Sequence, residues 1–152
     1  AGANMELMGV YDEALVEPLA QVLANLGVKK AMVVYGQDGL DEISMSAPTT
    51  VCEVKDGEFL SYVITPEQFG FTRCSKDELI GGSPQDNAQI ALAILKGEKG
   101  PRRDAVVLNS AAAIHIAKGI SIEDAIREAQ EVIDSGKALA QLEQFAALTN
   151  QE

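Results

Sequence analysis

The stretch Ala31-Met32-Val33-Val34-Tyr35, followed at once by Gly36-Gln37-Asp38-Gly39-Leu40-Asp41-Glu42, decides the fold. An apolar run without polar alternation suits a strand covered on both faces, as in a parallel sheet. Leu7 to Tyr11 (LMGVY) is a second such run upstream. Between them Asp12 can cap a helix, Leu15, Leu19, Val22, Leu23 and Leu26 recur at helical spacing as its inward face, and Gly27 supplies a left-handed stop. Pro18 falls in that helix's first turn or two. The pattern is β-α-β, and the Gly36–Glu42 loop sits where open α/β sheets bind ligands, at the C-terminal edge of the strands.

Working outward, Thr50 to Val54 and Phe59 to Ile64 flank Asp56-Gly57, a strong hairpin signal, and predict an antiparallel appendage to the α/β pattern. Thr65-Pro66-Glu67-Gln68 has the form of a capping box opening one turn before Gly70, and Gly70 to Gly82 reads as loop. Ser83-Pro84-Gln85-Asp86 starts a helix with Ala88, Ala91, Leu92 and Leu95 on one face. The Ala-rich run from about Arg102 to Lys118 exceeds strand length and predicts a buried helix that Gly119 ends. Ser121 and Asp124 cap a further helix with Ala125, Ile126, Ala129, Val132 and Ile133 inward. After Ser135-Gly136 a last helix carries Leu139, Leu142, Phe145 and Leu148.

Composition narrows the function. Of 152 residues, 47% are hydrophobic and 23% charged, which suits one packed domain rather than a disordered chain. Twelve Lys and Arg against 23 Asp and Glu give a net charge of −11, with no basic cluster longer than Lys29-Lys30 or Arg102-Arg103. That argues against nucleic acid or an anionic membrane as partner, since both need a basic face. The longest apolar stretch, Ala105 to Ala117, is broken by Asn109, Ser110 and His115 and falls short of the ~18 residues of a membrane helix. Cys52 and Cys74 lack C-x-x-C spacing, which fits a reducing, cytoplasmic compartment. The chain opens Ala1-Gly2-Ala3-Asn4, without initiator Met or signal-like segment, and reads as the middle of a longer protein.

For chemistry, the three carboxylates of the Gly36–Glu42 loop suit a hard cation such as Mg²⁺, which one or two carboxylates hold while phosphate and water complete its shell. As neighbours, Asp41 and Glu42 would point apart and more naturally touch two ions, or one ion and its water, than chelate one. On composition alone a solvated acidic turn explains the same residues. His115, the one histidine, sits among Ala112, Ala113, Ile114, Ile116 and Ala117 and reads as a packed structural residue. The two cysteines read as unremarkable thiols, and Asn109 as a residue needing partners wherever it is buried. There is no Walker loop, no G-x-G-x-x-G and no H-E-x-x-H.

Taken in order, Leu7-Met8-Gly9-Val10-Tyr11, Leu15-Val16-Glu17-Pro18-Leu19-Ala20, Val33-Val34-Tyr35-Gly36-Gln37-Asp38-Gly39-Leu40-Asp41-Glu42-Ile43-Ser44 and Thr65-Pro66-Glu67-Gln68-Phe69-Gly70 resemble the C-terminal half of the anthranilate phosphoribosyltransferase family. Gly81-Gly82-Ser83-Pro84-Gln85-Asp86-Asn87-Ala88, Leu108-Asn109-Ser110-Ala111-Ala112 and Asp134-Ser135-Gly136-Lys137-Ala138 agree. Tyr35 and Ser110 depart from the histidine and alanine of many relatives without touching the acidic pair.

The resemblance implies an α/β fold, a partial parallel-sheet domain with flanking helices and an antiparallel hairpin, of the phosphoribosyltransferase and nucleoside phosphorylase-like kind. Residues 1–152 would be the C-terminal portion of the α/β glycosyltransferase domain, without the N-terminal helical domain through which family members form homodimers. It implies Asp41 and Glu42 as ligands of Mg²⁺ accompanying the diphosphate of phosphoribosyl pyrophosphate, with anthranilate as the acceptor. It assigns no catalytic or cofactor-binding residue here, because the glycine-rich diphosphate loop and the arginine that contacts anthranilate belong to the other half. The piece alone would then be inactive, with an apolar sheet edge and face uncovered. A related glycosyltransferase with another acceptor, or a non-catalytic module that binds a partner chain, are the competing readings.

Overall fold

The structure, a computed structural model, describes residues 2–150. One four-stranded sheet runs β1 (Met5–Gly9), β2 (Lys30–Gly36), β3 (Thr49–Lys55) and β4 (Glu58–Ile64), in that order. β1 and β2 are parallel, joined through helix α1 (Val16–Asn25), while β2–β3 and β3–β4 are antiparallel. The expected β-α-β unit is present, with its first strand two residues earlier than LMGVY suggests. The ladder continues past it, since the Val10 amide donates to the Val34 carbonyl at 3.0 Å.

The hairpin is not an appendage. β3 pairs with β2 over its whole length, from Lys30 opposite Lys55 to Gly36 opposite Thr49, so the hairpin extends the sheet. Its turn uses Asp56 at φ 49° and Gly57 at φ 88°, two left-handed residues in succession whose twist matches that of the flanking strands.

Both faces of β2 are buried, and its neighbours divide by pleat. Ala31 and Val33 join Cys52 and Val54 in a core closed by Val16, Ala20 and Leu23 of α1. Met32 and Val34 join Val51 and Ile64 in a core closed by α3 (Pro101–Lys118) and α4 (Ile122–Asp134). Helix α1 therefore buries Val16, Ala20 and Leu23, whereas the expected Val22 and Leu26 are 46% and 76% exposed. Leu23 shares the contact line with Val16 and Ala20, and Leu26 lies off it.

The Gly70–Gly82 segment, expected as loop, holds one 3₁₀ turn, Lys76–Leu79. The Glu78 carboxylate accepts from the Ser75 amide at 2.8 Å to open it. Helix α2 (Pro84–Leu95) starts as expected at Ser83, but Ile94 is its one buried residue, and Ala88 and Ala91 face solvent. The last helix, α5 (Lys137–Thr149), buries none of its residues, leaving Leu142, Phe145 and Leu148 exposed. On the outermost strand, Phe59, Leu60 and Val63 are exposed too, as expected of a sheet with an uncovered apolar edge. No single helix among the described residues is long and apolar enough to cross a membrane.

Helices α3 and α4 are tied by a charge. The Arg103 side chain is 4% exposed and its guanidinium donates to Asp134 at 2.8 Å, while Lys99 donates to the same carboxylate at 2.9 Å. Hydrogen bonding from Lys99, then from Arg103, holds Asp134 below the usual carboxylate range. A depressed folded-state value stabilises the fold at higher pH, and that contribution is lost as pH falls through it. Asp134→Asn is expected to lower the urea midpoint at neutral pH and to flatten the loss of stability below about pH 4. Urea titrations of both proteins at several pH values check this, and parallel curves would show that the pair carries no acid sensitivity.

Candidate functional site

The acidic loop begins where β2 ends, beside the C-terminal end of parallel β1. Its first turn is tight: the Gly36 amide donates to the Leu40 carbonyl at 2.8 Å and the Gly39 amide to the Gly36 carbonyl at 2.7 Å, with Gly39 at φ 88°.

Asp38 faces inward and organises the loop. One carboxylate oxygen accepts from the Ser44 hydroxyl at 3.0 Å and from the Ser46 hydroxyl. The other, Oδ1, is buried without a partner and lies toward Gly36, where an added Cβ would come within 2.9 Å of it. Partial burial pushes the Asp38 carboxyl up, but the hydrogen bonds from Ser46 and Ser44, its own backbone and the Lys76 charge outweigh that and leave it below the ordinary value. Lys76 also donates to the Asp38 carbonyl at 2.5 Å, tying the loop to the Lys76–Leu79 turn. Asp38 is thus a structural member of the loop, a role that the paired serines six and eight residues on could have suggested.

Asp41 and Glu42 behave differently. Both are exposed, and among the described residues neither side chain has a hydrogen-bond or ion-pair partner. Glu42 borders a cleft of about 650 Å³ between α2 and α3, lined also by Ile90, Ile94 and Val106, and Asp41 does not. Loss of water on the cleft side, then the charges of Asp41 and Asp38, push the Glu42 carboxyl up. A cation beside Glu42 would favour the charged form of its carboxyl.

The donors fit Mg²⁺ in a limited sense. Among the described residues no group of three His, Cys, Asp or Glu side chains could hold an ion by itself. Two unpartnered carboxylates suffice for an ion that keeps waters and shares a substrate's phosphates, and do not suffice for a structural zinc.

Two backbone constraints hold this pair in place. The Asp41 carbonyl rests against Gly9 at the end of β1, where an added Cβ would lie 1.6 Å from that oxygen. On the other flank Asn109 of α3 bonds the peptide of Ile43: the Ile43 amide donates to Oδ1 at 2.9 Å, and Nδ2 donates to the Ile43 carbonyl at 2.9 Å. Neither partner was legible as a site residue, because each acts across a long sequence separation. His115 lies outside the loop, within hydrogen-bond distance of the Ile120 carbonyl and the Glu53 carboxylate, as a structural histidine would. Cys52 and Cys74 are unbridged, and burial pushes both thiols up, away from the reactive thiolate.

Gly9→Ala is expected to displace the acidic loop and cost about 3 kcal/mol, since the clash is with backbone that cannot rotate away. Equilibrium unfolding reads the cost; a loss under about 0.5 kcal/mol would show that the loop yields freely.

A model of the glycosyl transferase family, α/β domain, matches residues 1–139. The anthranilate phosphoribosyltransferase of Methanobrevibacter smithii is 61% identical over 151 residues, which cover 99% of this chain and 45% of that protein. The crystal structure of the Thermus thermophilus anthranilate phosphoribosyltransferase superposes with a TM-score of 0.83 at 38% identity, over 91% of this chain and 41% of that one. The Saccharomyces cerevisiae enzyme in complex with phosphoribosyl pyrophosphate and Mg superposes with a TM-score of 0.84 at 28% identity, over 93% and 42%. The chain therefore spans less than half the length of the relatives it matches.

Proposed function

Because the chain belongs to the glycosyl transferase family through its α/β domain, we propose that it supplies the acidic sheet-edge part of an anthranilate phosphoribosyltransferase, acting in tryptophan biosynthesis. The observation that carries the reading is the Asp41–Glu42 pair, unpartnered at the C-terminal end of β2 and fixed from both flanks. The 61% identity over nearly the whole chain supports the choice of this enzyme over a relative with another acceptor.

In this reaction the amine of anthranilate attacks the anomeric carbon of phosphoribosyl pyrophosphate as diphosphate departs. On this reading the protein's work is to orient the two substrates and to stabilise the charge on the leaving group. Asp41 and Glu42 are the residues that would hold Mg²⁺, and a bound Mg²⁺ supplies charge neutralisation at the diphosphate. The glycine-rich diphosphate loop and the acceptor contacts belong to the remainder of the longer protein, as does the helical domain expected to make it a homodimer. The unbridged thiols fit the reducing cytoplasm, where this biosynthesis is placed.

In the full-length protein, Asp41→Asn together with Glu42→Gln is expected to raise the Mg²⁺ concentration needed for half-maximal rate by at least about tenfold. Initial rates at limiting Mg²⁺ test it, and unchanged kinetics would remove the pair from the metal site. Residues 1–152 alone are expected to consume no anthranilate in the presence of phosphoribosyl pyrophosphate and Mg²⁺, with activity appearing when the remainder is supplied as a second polypeptide. Turnover by the isolated chain would contradict the division of the site.

A further inference from the structure

We propose that Asn109 is a positioning residue for the acidic pair, setting the direction of Asp41 and Glu42 through the peptide of Ile43. The proposal rests on the metal and diphosphate reading above.

Asn109 interrupts the apolar run of α3 between Leu108 and Ala111, both buried, in the helix that closes one core. Its amide is first fixed to its own helix, Nδ2 donating to the Ala105 carbonyl at 3.0 Å. So anchored, it meets both the amide and the carbonyl of Ile43, as a neighbouring strand would. Ile43 is buried, and the next residue continues the hold, the Ser44 amide donating to the Thr49 hydroxyl at 2.9 Å. On the other side, the Asp41 carbonyl is stopped by Gly9.

Between these fixed points stand two carboxylates that no side chain orients. Their aim is therefore set by the backbone, and the backbone by Gly9 and Asn109. Gly9 only blocks approach, whereas Asn109 bonds the chain and sets the rotation of the Glu42–Ile43 peptide. A group that orients metal ligands from outside the coordination shell typically contributes about ten- to hundredfold in metal affinity.

The test uses the full-length protein with Mn²⁺ as the probe, titrated in the presence of inorganic diphosphate and read by water-proton relaxation. Hydrogen exchange of residues 38–46 and of α4 is measured alongside. Asn109→Ala is expected to weaken Mn²⁺ uptake about tenfold and to speed exchange in residues 38–46, with α4 unchanged. Asn109→Ser separates the two roles, because a serine hydroxyl can bond the carbonyl four residues back within the helix and so removes only the grip on Ile43. It should show the same Mn²⁺ loss. Ser110→Ala, on the same cleft wall but without a bond to the loop, should bind as the parent does.

The outcomes separate the two readings. If Asp41→Asn with Glu42→Gln binds Mn²⁺ as tightly as the parent, the metal reading fails and this proposal with it. If that double variant loses Mn²⁺ while both Asn109 variants keep it, the metal reading stands and the positioning role is overturned. Faster exchange in α4 with both Asn109 variants would make Asn109 a residue of the fold and overturn the proposal as well.

Discussion

Strand β2 is hydrogen-bonded along both edges and buried on both faces, and the other elements are arranged by that double coverage. A strand so placed has no solvent face, so a polar residue from 31 to 34 would be stranded without water. Its two faces need two separate lids. The lid on the Ala31 and Val33 side is a single helix that reaches it through Val16, Ala20 and Leu23, while the Met32 and Val34 side takes α3 and α4 together. On that side α3, an 18-residue helix, lies over the sheet with α4 packed against it. Apolar surface removed from water contributes roughly 25 cal/mol per Å², and β2 gains it on both faces.

The same strand fixes where chemistry can occur. Rigid and central, it ends at Gly36, and the chain leaves the sheet there in a turn whose inner carboxylate, Asp38, is consumed by Ser44 and Ser46. Spending one carboxylate on the inside leaves the next two free on the outside. An acidic loop whose charges were all exposed would be mobile, and one whose charges were all satisfied would be inert. Here Asp38, held through one carboxylate oxygen by Ser44 and Ser46, stiffens the turn that presents the unpartnered pair.

What was legible in the sequence was what is local. The uninterrupted apolar run of β2, the Asp56-Gly57 turn, the boxes at Thr65–Gln68 and Ser83–Asp86 and the stop at Gly119 each carry their cause within a few residues. The acidic pair stood out for the same reason, though its assignment to a metal came from resemblance. Across longer separations the reading failed or fell silent. That β3 joins β2 is fixed by a register between distant segments, and that Gly9 must be glycine is fixed by a carbonyl 32 residues later. That Asn109, interrupting an apolar helix, would need partners was legible, but that the partner is Ile43, 66 residues away, was not.

The helix faces teach a separate point about periodicity. In α1 the leucines suggested one face, yet Ala20 is fully buried and Leu26 is largely exposed. The contact line runs through Val16, Ala20 and Leu23, and its central alanine is the residue a hydrophobicity pattern weights least. In α5 the pattern is plain, with Leu139, Leu142, Phe145 and Leu148 at helical spacing, and none of them is buried. Periodicity reports what a segment is built to bury, and it is indifferent to whether the covering surface lies in the same stretch of chain. The outer strand β4 and helix α5 are of this kind, with Phe59, Leu60 and Val63 of the one and Leu142, Phe145 and Leu148 of the other exposed.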